Sequence, residues 1–463
     1  MIIGCFALAV DLSRIYNRRA EMHSLANSVA LAASRHLNGT KPGIEAALTA
    51  ARNVVEEREN GPRYGYGLEM TWNDAAITFG AARNGGSGWK SSSDALNGPA
   101  GLRYAKVDTS ALNADYGTVG LIFARILAPS LTSVNIAHSA VAGKERLHVT
   151  PLGICAMSST PQSRRANTSD ASYDELVEYG FRRGVSYDLM NLNPGGTTAL
   201  SFQVDPVQLA NGSNPDTHFA SALYSPYICS GTMAVSSVTG ATVHVKQSFP
   251  IDLYYTHLNA RFDNYTGTCD VHTAGPDTNV KAFTFGSINW MPTKATVQSA
   301  LKDSASTARL QTIADKDPPN HPVTTDYGAL WTFARAVPWS SYETQGAPEP
   351  PEGYVPFNAT SAVWQSLYGP TATIGNYPQL APYFQTSNSS YYVAPTSSRK
   401  PGTRERRILN IPLLACPVTG AEATVLAIGK FLLTVPATSA AIHAEFGGIS
   451  TDAQVSGLVE IYQ

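Results

Sequence analysis

Apolar side chains recur every three, four or seven positions through residues 1–37, and this spacing predicts one long N-terminal helix. Residues 1–10 are almost wholly apolar, whereas the positions after them alternate an apolar stripe with polar side chains. At about 1.5 Å per residue, the helix would be about 55 Å long, which is more than a compact domain needs. We therefore expect the helix to extend beyond its own domain. The stripe consists of Leu8, Leu12, Ile15, Met22, Leu25, Val29, Ala33 and Leu37.

The apolar head, residues 1–10, is shorter than the roughly 20 apolar residues that cross a bilayer, and it lacks the basic start of a signal peptide. One interpretation is a buried helix in a soluble core. The other, which we favour, is the end of a membrane helix that begins upstream of Met1. Arg14, Arg18 and Arg19 would then reach the lipid headgroups. The stripe from Leu12 to Leu37 would form a seam inside the module or between subunits.

The chain after residue 37 divides into two parts that differ in their predicted secondary structure. Residues 38–146 combine an amphipathic helix, short strands and a Gly/Ser-rich loop over 85–101, which predicts an α+β module. Residues 147–463 carry short β-prone segments separated by turns, which predicts a larger β-rich domain. The expected fold class is therefore α+β, with the long helix of residues 1–37 packed on a small sheet and the β-rich domain after it.

Two further segments are predicted to be helical. Residues 119–127 are apolar nearly all round, which is typical of a short buried helix. The second segment is residues 172–181, and either Asp170 or Ser172 could cap the N-terminus of a helix there. We therefore expect a helix in each of these segments.

Composition narrows the classes of function. Charged residues make up 15% of the chain, below the ~25% typical of soluble domains, which favours an extracytoplasmic, loop-rich protein. Lys plus Arg number 33 against 35 Asp plus Glu, for a net charge of −2. A chain this close to neutrality has no overall electrostatic attraction to nucleic acid, so we expect no nucleic-acid partner.

Four cysteines lie outside the apolar head, namely Cys155, Cys229, Cys269 and Cys416. An even number in an envelope protein predicts two disulfides, with three possible pairings. The alternative is four free thiols in a cytoplasmic core. No two of these cysteines are close in sequence, so we expect no metal site.

Motifs of catalysis are absent from the sequence. There is no H-E-x-x-H, P-loop or G-x-S-x-G, and the ten histidines are scattered. We therefore expect neither enzymatic activity nor a cofactor. The pairs Arg182-Arg183 and Arg406-Arg407 are either contact points for an anionic surface or solvated charges beside strands.

Two ends of the chain carry a recognisable pattern. The N-terminal one is Ala9-Val10-Asp11-Leu12 followed by Arg14, Tyr16, Arg19 and the small-residue run over 25–33, and the C-terminal one is the order RRILNIPLLAC, GKFLLTVP, AEFGG within residues 406–448. Both resemble TadG-like proteins of the Flp (tight adherence) pilus-assembly system.

The resemblance implies a pilin-like N-terminal helix and a role in assembly, anchoring or capping of a Flp-type pilus. It also implies a location in the bacterial envelope, with an inner-membrane anchor and a periplasmic or extracellular domain. Partners would be the inner membrane and other Flp pilus-assembly proteins or pilins. The alternative from another class is a surface adhesin or carbohydrate-binding protein that shares the pilin-like anchor.

Overall fold

The computed structural model describes residues 2–56, 70–81, 85, 88–144, 147–167, 173–210, 216–235, 237–284, 302–303, 310–312, 331–357, 380–387, 390–456 and 459–462. The α-helices are α1 (Ile2–Ser34), α2 (Lys41–Glu56), α3 (Ser92–Asn97), α4 (Ala114–Gly117), α5 (Ala124–Leu127), α6 (Ser221–Ser230), α7 (Ile251–Asn259), α8 (Trp339–Gln345) and α9 (Asp452–Val455). The strands are β1 (Ile77–Gly80), β2 (Tyr104–Asp108), β3 (Thr118–Gly120), β4 (Ser133–Asn135), β5 (Ser139–Lys144), β6 (Leu152–Cys155), β7 (Gln162–Asn167), β8 (Tyr173–Glu178), β9 (Phe181–Arg182), β10 (Ser186–Asp188), β11 (Phe202–Leu209), β12 (Thr242–Gln247), β13 (Lys302–Asp303), β14 (Gln311–Thr312), β15 (Ile408–Leu414), β16 (Glu422–Leu433), β17 (His443–Ser450) and β18 (Val459–Tyr462).

The protein is a mixed α/β chain that divides into two compact units. Unit 1 consists of Met1–Arg146 with Gly457–Gln463, and unit 2 consists of Leu147–Ser456. The end of the chain returns to unit 1 because β18 pairs antiparallel with β5, with Val459 opposite Lys144. The sequence predicts one domain over 147–463, whereas unit 2 ends before the last strand. The pairing of β18 with β5 joins segments far apart in sequence, which local pattern does not reveal.

Unit 1 contains a four-stranded antiparallel sheet in the order β1-β2-β5-β18. The second half of α1 and this sheet share one hydrophobic core. Ala105 of β2 and Ala142 of β5 are fully buried there, beside fully buried alanines of α1. Small side chains on both sides allow dense packing without voids.

The turn between α1 and α2 is held by polar side chains. The Thr40 side-chain oxygen accepts a hydrogen bond of 3.2 Å from the backbone N–H of Gly43, and Asn38 Oδ1 accepts one of 3.1 Å from the N–H of Thr40. These bonds satisfy donors that the start of α2 leaves unpaired. Gly39 sits between them with φ 80°, a backbone conformation that favours glycine.

Unit 1 also contains a hairpin that is separate from the four-stranded sheet. Strands β3 and β4 pair antiparallel, with Val119 opposite Val134, and α5 lies between them. The helix predicted over 119–127 is therefore wrong in its first part, because Val119 and Gly120 belong to a strand. The predicted loop over 85–101 is also wrong in part, since α3 forms there with the Ser91 side chain capping it through the N–H of Asp94.

Unit 2 contains a seven-stranded sheet in the order β10-β17-β16-β12-β11-β6-β15, in which β15 also pairs with β16. This extra pairing closes β16, β12, β11, β6 and β15 into a ring. One hydrophobic core draws on ring residues such as Phe202, Val245 and Val425, and a second one surrounds Phe181 and Phe431.

A three-stranded antiparallel sheet, β7-β8-β9, accounts for the segment predicted to be a helix over 172–181. The residues over 173–178 form β8 instead, because Arg164 and Arg165 of β7 lie opposite Leu176 and Glu175 in the pairing. The predicted caps Asp170 and Ser172 lie outside the described residues.

Candidate functional site

The predicted stripe on α1 divides into a buried and an exposed part. Met22, Leu25, Val29 and Ala33 are at most 1% exposed and belong to the core of unit 1, as does Leu37 beyond the helix end. In contrast, Leu12 is 66% exposed and Ile15 is half-buried. The side chain of Leu8 lies outside the described part of the structure. From Met22 onward, the seam is thus one inside the module.

Three charged residues of α1 bind α4 and the hairpin of β3, α5 and β4. The Asp11 carboxylate accepts hydrogen bonds from the backbone N–H groups of Ile122, Phe123 and Ala124, at 2.9, 2.8 and 2.7 Å. Asp11 is 3% exposed. Burial raises the pKa of its carboxyl, but the three donors and Arg14 outweigh this and hold the pKa below its ordinary value.

Arginines continue this contact along the helix. Arg14 Nη1 donates to the Gly120 carbonyl at 2.8 Å, and Arg18 Nη1 donates to the Tyr116 carbonyl at 2.9 Å. Arg18 is buried and also lies 3.4 Å from Glu21 Oε2. The sequence suggested headgroup contacts for Arg14 and Arg18, whereas the structure has each bound to a backbone carbonyl. The signal for this role is the spacing of 11, 14 and 18, which places the three side chains on one side of a helix.

Exposed apolar side chains surround this contact. On α1 they are Val10, Leu12 and Tyr16, with exposed fractions of 46%, 66% and 72%. On the hairpin they are Ile122, Ile126, Leu131 and Val134, with exposed fractions of 50%, 72%, 51% and 37%. Scattered exposed leucines are ordinary on a protein surface, but several at one end of a unit mark an interaction surface. We refer to these seven residues as the apolar end of unit 1.

No family model, curated protein or solved structure matches the chain. Within the part of the chain that the structure describes, no helix has both the length and the apolar content needed to span a membrane.

Unit 2 contains two disulfides, Cys155–Cys416 and Cys229–Cys269. This confirms the prediction from the four cysteines and selects one of the three pairings. The first bond joins neighbouring strands, because Leu414 of β15 lies opposite Cys155 of β6. The second ties α6 to the segment that follows α7.

Arg182 and Arg183 are buried in ion pairs and are not exposed contact points. Arg182 Nε lies 2.9 Å from Glu175 Oε2, and Arg183 Nε lies 2.7 Å from Glu178 Oε2. Arg183 also contacts Glu349 at 2.7 Å. Burial lowers the pKa of Arg183, but the two glutamates outweigh burial and raise it. The ion pairs of Arg182 and Arg183 with glutamates of β8 thus link β8 to β9, and the contact with Glu349 links them to the 331–357 segment.

Arg406 and Arg407 hold backbone carbonyls. Arg406 donates to the carbonyls of Cys229 and Ser230 at 2.8 and 2.5 Å, which caps the C-terminus of α6. Arg407 is fully buried and donates to the Leu433 carbonyl at 2.7 Å. Its backbone N–H donates to Asp277 Oδ2 at 2.9 Å. These arginines organise unit 2 and do not face an external anion.

One further buried acid lies in unit 2. The Glu445 carboxylate accepts hydrogen bonds from the N–H groups of Thr332, Phe333 and Ala334, at 2.9, 2.8 and 2.8 Å. Burial raises its pKa to about 8 despite these donors. Among the described residues, no group of three or more His, Cys, Asp or Glu side chains could hold a metal ion.

Proposed function

We propose that this chain is a non-enzymatic envelope protein of a Flp/Tad-type pilus, which acts in assembly, anchoring or capping of the pilus through its N-terminal helix. The observation that carries the proposal is the division of α1. Its second half is part of the core of unit 1, whereas its first half presents exposed apolar side chains beside a clamped hairpin.

In this proposal α1 is pilin-like. Met22, Leu25 and Val29 anchor the helix in its own module, so its first half is held in a defined direction. An apolar helix end held in this way can be stored in a membrane and later packed against other such helices, because lipid and helix neighbours both cover the same side chains.

The disulfides support a location outside the cytoplasm. Disulfides persist in the bacterial periplasm and at cell surfaces, and they are rare in the reducing cytosol. Cys155 is fully buried and Cys229 is 4% exposed, so both bonds staple the interior of unit 2. The disulfides therefore support the periplasmic or extracellular location of unit 2 that the proposal combines with an α1 directed to the inner membrane.

The test is a gene deletion in the source organism, complemented with the full-length protein bearing a C-terminal tag. Membrane retention is measured by alkaline carbonate washing, tag exposure by protease treatment of spheroplasts, and pili by electron microscopy. We expect retention, an exposed tag and loss of pili in the deletion strain. Leu12→Asp with Tyr16→Asp should fail to restore pili, whereas the exposed control Leu380→Asp in unit 2 should restore them.

The contrary results are equally definite. A cytoplasmic protein with four free thiols would overturn the proposal. Normal pili in the deletion strain, together with glycan binding by the purified chain, would instead favour the adhesin interpretation.

A further inference from the structure

The hairpin of β3, α5 and β4 advances along α1 toward its apolar head. Tyr116 of α4, directly before the hairpin, contacts Arg18; within the hairpin, Gly120 contacts Arg14, and Phe123 and Ala124 contact Asp11. The seven residues from Arg18 to Asp11 rise by about 10 Å along a helix axis. The tip of the hairpin, residues 121–131, therefore lies beside the point where the apolar head of α1 begins.

The tip is apolar, and the charged side chains exposed on it and on residues 9–20 of α1 are arginines. Ile122, Ile126 and Leu131 are each at least half exposed. Residues 118–136 contain one charged side chain, the exposed Arg125. Residues 9–20 of α1 contain the exposed Arg19, the half-buried Arg14 and the buried Arg18, with a single acid, Asp11, which is also buried. A cationic, apolar surface complements an anionic lipid headgroup region.

Most backbone N–H groups of the tip have hydrogen-bond partners within unit 1. The N–H groups of residues 122–124 bind Asp11, and that of Leu121 binds the Thr132 carbonyl at 2.9 Å. The N–H groups of residues 126, 128 and 131 bind carbonyls within the tip, and residue 129 is a proline without one. Segments that enter lipid need such internal partners, because lipid offers no hydrogen bonds.

We propose that the 121–131 tip is a second membrane contact, inserted into the headgroup and upper acyl region of an anionic phospholipid bilayer beside α1. This inference deepens the proposed function and rests on its membrane-facing α1. Asp11 has the positioning role, since it fixes the tip at the depth of the helix head. Arg19 and Arg125, both exposed, contact lipid phosphates, and Tyr16 lies at the same interface.

The first experiment measures cosedimentation of the full chain with vesicles. The vesicles are phosphatidylcholine alone, or phosphatidylcholine with a quarter phosphatidylglycerol. We expect Ile126→Ser with Leu131→Ser to weaken vesicle binding about tenfold or more. The matched control, Leu380→Ser with Val393→Ser, removes two exposed apolar side chains of unit 2 and should leave binding unchanged. Arg19→Gln with Arg125→Gln should weaken binding about tenfold on the anionic vesicles alone.

The second experiment places a bimane fluorophore at the tip, and it does not require weakened binding or a destabilising change. Ile126→Cys in a Cys5→Ser background is labelled and mixed with vesicles that contain nitroxide lipids. We expect stronger quenching by shallow nitroxides than by deep ones at position 126, and none at position 393 of unit 2.

The outcomes separate this inference from the proposed function. Membrane retention and pili in cells, with no quenching at position 126 and no effect of the tip variants, overturn the inference and leave the proposed function standing. If the tip variant Ile126→Ser with Leu131→Ser changed the sedimentation mass of the protein but not its vesicle binding, the tip would be a contact with a second copy of the chain. That result would also overturn the inference. Vesicle insertion without any pilus defect in the deletion strain would support the inference and refute the pilus role.

Discussion

The Asp11 carboxylate accepts a 2.8 Å hydrogen bond from the backbone N–H of Phe123, which lies 112 positions further along the chain. The adjacent N–H groups of Ile122 and Ala124 bind the same carboxylate. A side chain near the start of α1 thus fixes the tip of a distant hairpin. The exposed apolar residues of both elements are held together by this contact.

Asp11→Asn should release the hairpin tip. An amide oxygen is a weaker acceptor than a carboxylate, and the Asn amide nitrogen cannot accept a hydrogen bond at all. We expect hydrogen exchange of the 122–124 amides to become about tenfold faster or more, measured by mass spectrometry, while the core of unit 1 keeps its protection. Asp115→Asn, a change at an exposed acid near the same hairpin, is the control. Equal exchange rates in Asp11→Asn and the wild type would contradict this role.

The same contact should survive mild acid. The pKa of Asp11 is lowered in the folded protein, so its contribution is present above the ordinary aspartate pKa and is lost as pH falls through the lower folded value. Protection of the 122–124 amides should therefore persist at about pH 4 and disappear at a lower pH. Loss of protection already near pH 5 would show that the carboxylate is not held as described.

Replacement by alanine should affect stability strongly at Leu25 and very little at Leu12. Leu25 is fully buried, so Leu25→Ala should destabilise unit 1 by about 3 kcal/mol, because it leaves a cavity in the core. Leu12 is 66% exposed, and Leu12→Ala should alter stability by less than about 0.5 kcal/mol. Urea unfolding followed by circular dichroism measures both. A large effect at Leu12 would place its side chain in a core that the structure does not show.

The two disulfides should differ in their contributions to stability. Cys155–Cys416 closes a loop with a sequence separation of 261, and Cys229–Cys269 one of 40. From loop-closure entropy, replacing the first pair by alanines should cost about 5 kcal/mol and the second about 4 kcal/mol. Cys5→Ala serves as the control, since Cys5 belongs to neither bond. The reverse order in urea unfolding would show that chain entropy does not govern these bonds.

Glu445 should make unit 2 less stable as pH rises. Its folded pKa of about 8 lies above the ordinary value, so folding takes up a proton between the two values. The unfolding free energy should fall by about 3 kcal/mol from about pH 5 to about pH 8, and this fall should vanish in Glu445→Gln. Glu352→Gln, at an exposed position, should retain the wild-type dependence. An unchanged slope in Glu445→Gln would assign the pH dependence to another group.

Local pattern was enough to predict several features. Helix α1 follows from side chains spaced by three and four, since its hydrogen bonds join residues only four apart. The four cysteines outside the apolar head do form two disulfides. In contrast, local pattern predicts a helix over 172–181, whereas residues 173–178 form strand β8, because pairing with β7 outweighs the local preference of that segment.

The candidate site shows the same division more sharply. Local pattern is sufficient to predict that an apolar head is followed by Asp11, Arg14 and Arg18 on one side of a helix, because helical periodicity is a property of neighbouring residues. Local pattern does not predict that these side chains bind the backbone of residues 116–124, that Leu25 is buried while Leu12 is exposed, or that Cys155 pairs with Cys416. Each of these contacts joins segments that are distant in sequence, and folding alone brings them within hydrogen-bond or van der Waals distance.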